Sequence, residues 1–428
     1  MPKFMKADSA QLAQPDEALE RRAIDTIRTL AMDAVQKANS GHPGTPMAMA
    51  PVAYTLWRDF IRYDPDTPDW PNRDRFVLSV GHASMLLYAV LHLALVKEID
   101  PDGKPTGRPA VGLDDIKQFR QLGSKTPGHP EYRMTTGVET TTGPLGQGCG
   151  NSVGMAIAER ALASHFNRDG FKLFDHNIYV LCGDGDMMEG VSSEAASLAG
   201  HLALSNLCWI YDSNHISIEG STELAFTEDV GKRFEGYGWN VIQVDDANDT
   251  RAVARAIAAF RDAHDRPTLI VIRSVIGWGS PRAGSEKAHG EPLGEDNVRA
   301  TKKAYGWPEG AQFLVPDGVA EAFNSAVAGR GGPAREAWEE TLARYRESFP
   351  AEAREMDLLR RGKLPSDWQA TIPTFPPDAV GLASRDSGGK IALTSIVLPA
   401  PTARSAKKRS RNAPLRSGLS VPRWGAPV

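Results

Sequence analysis

Between positions 20 and 273 the chain alternates two patterns: unbroken apolar runs of about five residues, and stretches whose apolar residues recur at helical spacing. The runs fall at 75–79, 178–182, 207–211, 239–244 and 268–273. The helical stretches fall at 20–38, 83–96, 188–204 and 250–263; in the first, Ile24, Ile27, Leu30, Ala31, Ala34 and Val35 share one face. A strand with one face in water alternates apolar and polar residues, so an unbroken apolar run implies burial on both faces. Strand and helix in regular succession therefore predict an α/β fold: a doubly wound, mostly parallel sheet with helices on both faces.

In such sheets ligands gather beyond the carboxyl ends of the strands. Three polar or glycine-rich segments fall there, namely Gly81-His82, Gly183-Asp184-Gly185 and Asp212-Ser213-Asn214. A carboxylate between two glycines can reach a cation while the backbone comes close to a phosphate. Taken alone, that tripeptide reads more readily as an ordinary tight turn. The next strand end, at Asn214, would be its neighbour in a parallel sheet. Asp184 and Asn214 would then offer two hard oxygen ligands to one divalent cation, with diphosphate oxygens and a backbone carbonyl completing the shell.

A Gly-Asp-Gly followed about 30 residues later by a strand ending in Asn is the thiamine diphosphate signature, and the surrounding segments resemble the transketolase family. They are Asn-Ser-Gly-His-Pro-Gly (39–44), Ser-Val-Gly-His (79–82), Thr-Pro-Gly-His-Pro (126–130), Thr-Thr-Gly-Pro-Leu-Gly-Gln-Gly (141–148), Gly-Asp-Gly-Asp-Met-Met-Glu-Gly (183–190) and Ser-Leu-Ala-Gly-His (197–201). The resemblance runs from about Glu20 to about Lys390, with Ser213 where the signature usually has Asn or Asp.

The resemblance implies a role for each matching residue. Asp184 and Asn214 would bind the metal through their side chains and Ile216 through its carbonyl oxygen. Mg2+ is the expected ion, with Ca2+, Mn2+ or Co2+ as substitutes, since hard oxygen ligands accept several divalent cations. Gly185, Asn214, His82 and His289 would contact the diphosphate, and Gly143, Pro144 and Leu145 would cradle the aminopyrimidine. His42, His129 and His289 would act as catalytic groups, binding donor hydroxyls or moving protons, which suits an imidazole near neutrality. Arg385 would grip a sugar phosphate. The implied reaction is reversible transfer of a two-carbon ketol group from a ketose phosphate to an aldose phosphate, through a carbanion of the cofactor. Members of the family serve both the pentose phosphate pathway and the Calvin cycle, as homodimers. Dihydroxyacetone synthase, phosphoketolase and deoxyxylulose phosphate synthase are alternatives within the cofactor class. The cofactor-holding half of a split enzyme, or a non-catalytic module, is the alternative outside it.

The other residues of these types read as structural: His92, His165, His176, His201 and His264 as packing or exposed histidines, Trp57 and Met155 as core. Glu189 and Glu194 suit either the first turn of a helix or a dimer interface. No window carries the ~18 apolar residues of a spanning helix. The N-terminus lacks a signal-peptide core, and Cys149, Cys182 and Cys208 form no CxxC pair. Together these predict a cytoplasmic protein without membrane or disulfide.

Three regions are expected: an α/β domain over 1–330, a helical and Pro-rich linker arm over 331–390, and an atypical basic tail over 391–428. The tail carries seven Lys or Arg and no acid, so without it the net charge moves from −4 to −11. Its loss of apolar pattern favours a truncated or frame-shifted reading, disordered in solution, over a nucleic-acid-binding arm. The family's second catalytic domain, which supplies a glutamate to the cofactor, has no counterpart in the segment matched, so weak cofactor binding without turnover is expected.

Overall fold

A computed structural model of the chain describes residues 16–364, 366, 368–377 and 380–396. Five parallel strands make the central sheet: β1 (Arg75–Leu78), β2 (Ile178–Gly183), β3 (Leu207–Ser213), β4 (Asn240–Val244) and β5 (Thr268–Arg273). Their spatial order is β1-β2-β3-β5-β4. The adjacency of the Gly183 and Asn214 strand ends is thus found, with Gly183 opposite Asp212 in the β2–β3 register.

The unbroken apolar runs have a direct structural reading. Along β2, Tyr179 and Leu181 enter a core built with α1 (Glu17–Ala38), α2 (Gly44–Thr55) and α3 (Ser84–Leu93), together with α6 (Thr250–Asp262). Ile178, Val180 and Cys182 enter a second core on the opposite face, against α4 (Gln147–Phe166) and α5 (Gly190–His201). Strand β3 divides likewise, with Cys208 and Ile210 on one side and Leu207, Trp209 and Tyr211 on the other. Side chains alternate between faces with period two, so a strand covered on both must be apolar at every position.

The elements differ from the sequence expectation mainly at their ends. The helix expected at 188–204 is found as α5, from Gly190 to His201, and a short helix Asp184–Met188, not expected, opens directly on Gly183. Trp239 lies before β4 and serves the second core, its indole nitrogen donating to the Ala196 carbonyl at 2.8 Å. After β5 come α7 (Glu295–Ala304) and α8 (Val319–Ser348), so position 330 lies inside a helix.

The chain divides into two compact units at Arg344/Tyr345. Within the second lie α9 (Pro350–Arg360) and α10 (Ser384–Ile396), the former tied by Arg346 donating to Asp357 at 2.9 Å. Of the expected basic tail, residues 391–396 belong to α10; the rest lies outside the described residues. Among the described residues no helix is long and apolar enough to cross a membrane. The three cysteines are free and buried.

Candidate functional site

The site is assembled from segments that follow β1, β2, β3 and β5, together with the connection between α1 and α2. Asp184 begins the short helix after β2 and is only 4% exposed. Its Oδ1 accepts from the Tyr211 hydroxyl at 2.5 Å and its Oδ2 from the His215 backbone N–H at 2.9 Å. Burial pushes this carboxyl up, against the Tyr211 hydrogen bond, which favours the ionised form. Asn214 directly follows β3 in a tight side-chain turn, its Oδ1 accepting from the Ile216 N–H at 2.9 Å. His215 between them sits at φ 60°, the left-handed region that non-glycine residues seldom occupy. Ile216 follows in a two-residue strand paired with Gly220–Ser221.

A carboxylate oxygen and an amide oxygen each keep a lone pair beyond the hydrogen bond they accept. Asp184 and Asn214 therefore fit a hard divalent cation, though not alone. Among the described residues no group of three or more His, Cys, Asp or Glu converges as a metal cage. A cation here needs further oxygens from its ligand, which is the chemistry of a metal shared with a diphosphate.

Beyond β1, three imidazoles meet. The ring centroids of His42 and His82 are 4.9 Å apart, those of His82 and His289 5.1 Å, and those of His42 and His289 5.5 Å. Burial, followed by the charge of His289, lowers His42 to about 4. Burial likewise holds His82 well below the ordinary value and lowers His289 and His129. All four are neutral at physiological pH. The His42 Nδ1 is buried and has no hydrogen-bond partner, an unmet demand that a bound polar ligand would satisfy.

Close backbone approach holds the cluster. Gly44, the first residue of α2, accepts from the Gly277 N–H at 3.0 Å. A Cβ at Gly44 would lie 2.4 Å from the Ala288 carbonyl oxygen, so only glycine lets the segments carrying His42 and His289 meet. On the other side, Thr142 donates to the Leu78 carbonyl at 2.8 Å, setting Gly143, Pro144 and Leu145 beside the end of β1. The His129 ring lies over Gly143, 3.9 Å from where a Cβ would be. The Leu145 side chain closes on Gly185, leaving 2.6 Å for a Cβ that is not there. The expected histidines, the 143–145 segment and the Asp184–Asn214 pair are thus tied together within the first compact unit.

Arg385 is placed differently. It lies in the second compact unit, in the first turn of α10, with an exposed guanidinium 3.7 Å from Asp386. Of the other histidines, His92 pairs with the Val111 carbonyl at 2.9 Å and His176 with the Asn72 side chain at 3.3 Å.

Sequence reasoning missed the buried carboxyls that hold the loops. Asp186 is fully buried; its Oδ1 accepts from Ser79 at 2.6 Å and from the Gly146 N–H at 2.7 Å, and its Oδ2 from the Gly183 N–H at 2.9 Å. One side chain thereby joins the end of β1, the start of α4 and the end of β2. Asp212 is the second such residue, buried on β3 beside Asn214. The only trace of Asp186 in the sequence is its place two residues after Asp184.

Comparison with known proteins agrees with this geometry. Residues 19–365 match the family described as "Transketolase, thiamine diphosphate binding domain". The transketolase of Geobacillus stearothermophilus is 49% identical over 375 residues, covering 87% of this chain and 54% of that protein. That of Bacillus subtilis is 48% identical over 376 residues, covering 88% and 54%. Among solved structures, a Pichia stipitis transketolase mutant in complex with xylulose 5-phosphate superposes with a TM-score of 0.82 at 42% identity, covering 89% of this chain and 54% of that one. Leishmania mexicana transketolase gives 0.78 at 46% identity, covering 84% and 51%. The chain spans about half the length of the curated relatives it matches.

Proposed function

The chain belongs to the transketolase family through its thiamine diphosphate-binding domain, and from that premise we propose that it provides the diphosphate-holding side of a ketol-transfer site. Asp184 and Asn214 hold Mg2+ through their side-chain oxygens and Ile216 through its carbonyl; Ca2+, Mn2+ or Co2+ can take its place. Gly185, Asn214, His82 and His289 face the diphosphate, and Gly143, Pro144 and Leu145 the aminopyrimidine. When bound, thiamine diphosphate supplies the electron sink for breaking the carbon–carbon bond next to a ketose carbonyl.

The protein's part is binding and proton movement. His42, His129 and His289 are neutral, so each offers one nitrogen that donates and one that accepts. They can hold donor hydroxyls and move a proton at a hydroxyl oxygen without a prior titration step. By resemblance Arg385 is the sugar-phosphate residue, and the substrates are a ketose phosphate donor and an aldose phosphate acceptor. The carrying observation is the triangle of uncharged imidazoles, with the unpartnered His42 Nδ1, in the same unit as the two oxygen ligands.

The active assembly in this reading is a homodimer. Supporting it, α5 and the turn before it leave Met188, Val191 and Leu198 exposed beside the exposed Glu189 and Glu194. Apolar side chains exposed together on one helix face suit a second copy of the same face.

Binding tests the function most simply. Calorimetric titration of the full chain, loaded with Mg2+ and thiamine diphosphate, should detect xylulose 5-phosphate, with the affinity lost in His42→Ala. Pyruvate binding in its place, or ketose binding indifferent to His42, would contradict the proposal.

A further inference from the structure

The least expected group near the site is Asp212. It is 1% exposed on β3, and among the described residues no Lys, Arg or His forms an ion pair with it. An unpaired buried carboxyl is costly, and an apolar residue would be the cheaper filler. It is not needed to join β3 to β5 either, because the ladder already pairs Asp212 with Ile272 and Ser213 with Arg273.

Its contacts point to another use. The Ser274 hydroxyl, just beyond β5, lies 2.5 Å from Asp212 Oδ1. The Asn214 side-chain nitrogen donates to Asp212 Oδ2 at 3.0 Å, while the Ile216 N–H donates to Asn214 Oδ1 at 2.9 Å. These partners fix which end of the amide is which. The Asn214 NH2 can only donate and must face the carboxyl, and the Ile216 N–H can only donate and must face the amide oxygen. Turning the amide over would set NH2 against N–H and oxygen against oxygen. Tyr211, one residue earlier, does the same for Asp184. Two consecutive residues of β3 thus orient the two candidate ligands.

Resting on the cation site proposed above, we propose that Asp212, held by Ser274, is the positioning residue of that site, locking the Asn214 amide with its carbonyl oxygen toward the cation. Outer groups of this kind typically set metal affinity by about 10–100-fold.

The test is Mn2+ binding to the full chain with thiamine diphosphate present, read by the electron paramagnetic resonance of free Mn2+, which needs no turnover. Asp212→Ala should bind Mn2+ about 10–100-fold more weakly per folded molecule. Asp212→Asn should recover most of that loss, since its oxygen can accept from Asn214 while its NH2 donates to Ser274. Ser274→Ala should cost about 5-fold, one hydrogen bond's worth. Wild-type affinity in a folded Asp212→Ala would overturn the proposal. Should that variant not fold, Ser274→Ala decides: weakened binding supports the positioning role and unchanged binding overturns it. Failure of the wild-type chain to bind Mn2+ with the cofactor would instead overturn the cation site itself, a distinguishable outcome.

Discussion

The two ends of the central sheet use the same residue types in opposite ways. At the amino ends, charges are matched. Arg62 pairs with Asp175 at 2.8 Å, Asp74 accepts from the backbone of Arg62 and Asn177, and Arg73 grips Glu139 through two bonds of 2.9 and 2.7 Å. Here each buried charge has an opposite charge or backbone donors beside it, and these contacts tie the entries of β1 and β2 together. At the carboxyl ends, no ion pair among the described residues involves Asp184, Asp186 or Asp212, and four histidines stay uncharged. One end supplies its own countercharges. The other satisfies its carboxyls with hydrogen bonds alone and leaves the His42 Nδ1 without a partner, the setting in which the cation and diphosphate are proposed.

That contrast can be broken in graded steps. The largest effect on folding belongs to the paired end. Arg73→Leu removes both short bonds to Glu139, leaving it the longer 3.6 Å contact with Arg75, and should cost up to about 3–5 kcal/mol in chemical denaturation, with cofactor affinity per folded molecule unchanged. A variant as stable as wild type but weak in cofactor would reverse the assignment of the two ends. Next, Asp184→Ala should lower Mg2+-dependent cofactor affinity by more than about 100-fold, beyond what outer-shell losses cost. The unliganded chain should change by only about 1–3 kcal/mol, the cost of leaving the Tyr211 hydroxyl and His215 N–H unpaired. Calorimetry beside urea denaturation separates the two.

Gly44→Ala probes the frame between His42 and His289. The added Cβ meets the Ala288 carbonyl and should cost about 1–3 kcal/mol while also weakening cofactor binding, because the two imidazoles are moved apart. Loss of stability with full binding would show that the histidines do not depend on this contact.

The smallest effect is in pH. His42 titrates near 4 in the folded chain and near its ordinary value of about 6.5 once unfolded. Between those values the unfolded state binds the additional proton. The stability is complete above the unfolded value and is lost as pH falls toward the folded one. His42→Gln should flatten the urea-midpoint profile below neutrality, by at most about 1.4 kcal/mol per pH unit. An unchanged slope would mean that His42 is not held neutral by burial.

How much of this could be read in the sequence depends on how far apart the partners lie. The strands were legible because burial on both faces leaves an unbroken apolar run, and adjacency of the Asp184 and Asn214 strand ends followed from parallel order. The short helix Asp184–Met188 was not, since five residues rich in Gly and Asp carry no helical repeat. Strand order placed only His82 near the site; that His42, His129 and His289 join it was reached through family resemblance, because nothing in their local sequence says that they meet. Asp186 with Ser79 and Asp212 with Ser274 were invisible: their partners are 107 and 62 residues away, and nothing local marks a buried carboxyl as satisfied by a distant hydroxyl.

At the centre of these proposals, the carboxyl end of the sheet binds a diphosphate through a shared cation. Titration of the full chain with thiamine diphosphate, with Mg2+ and then with a chelator, tests this directly. Saturable binding is predicted only with the cation present, and it should be abolished in Asp184→Ala and in Asn214→Ala. Equal binding in chelator, or binding indifferent to both substitutions, would contradict it.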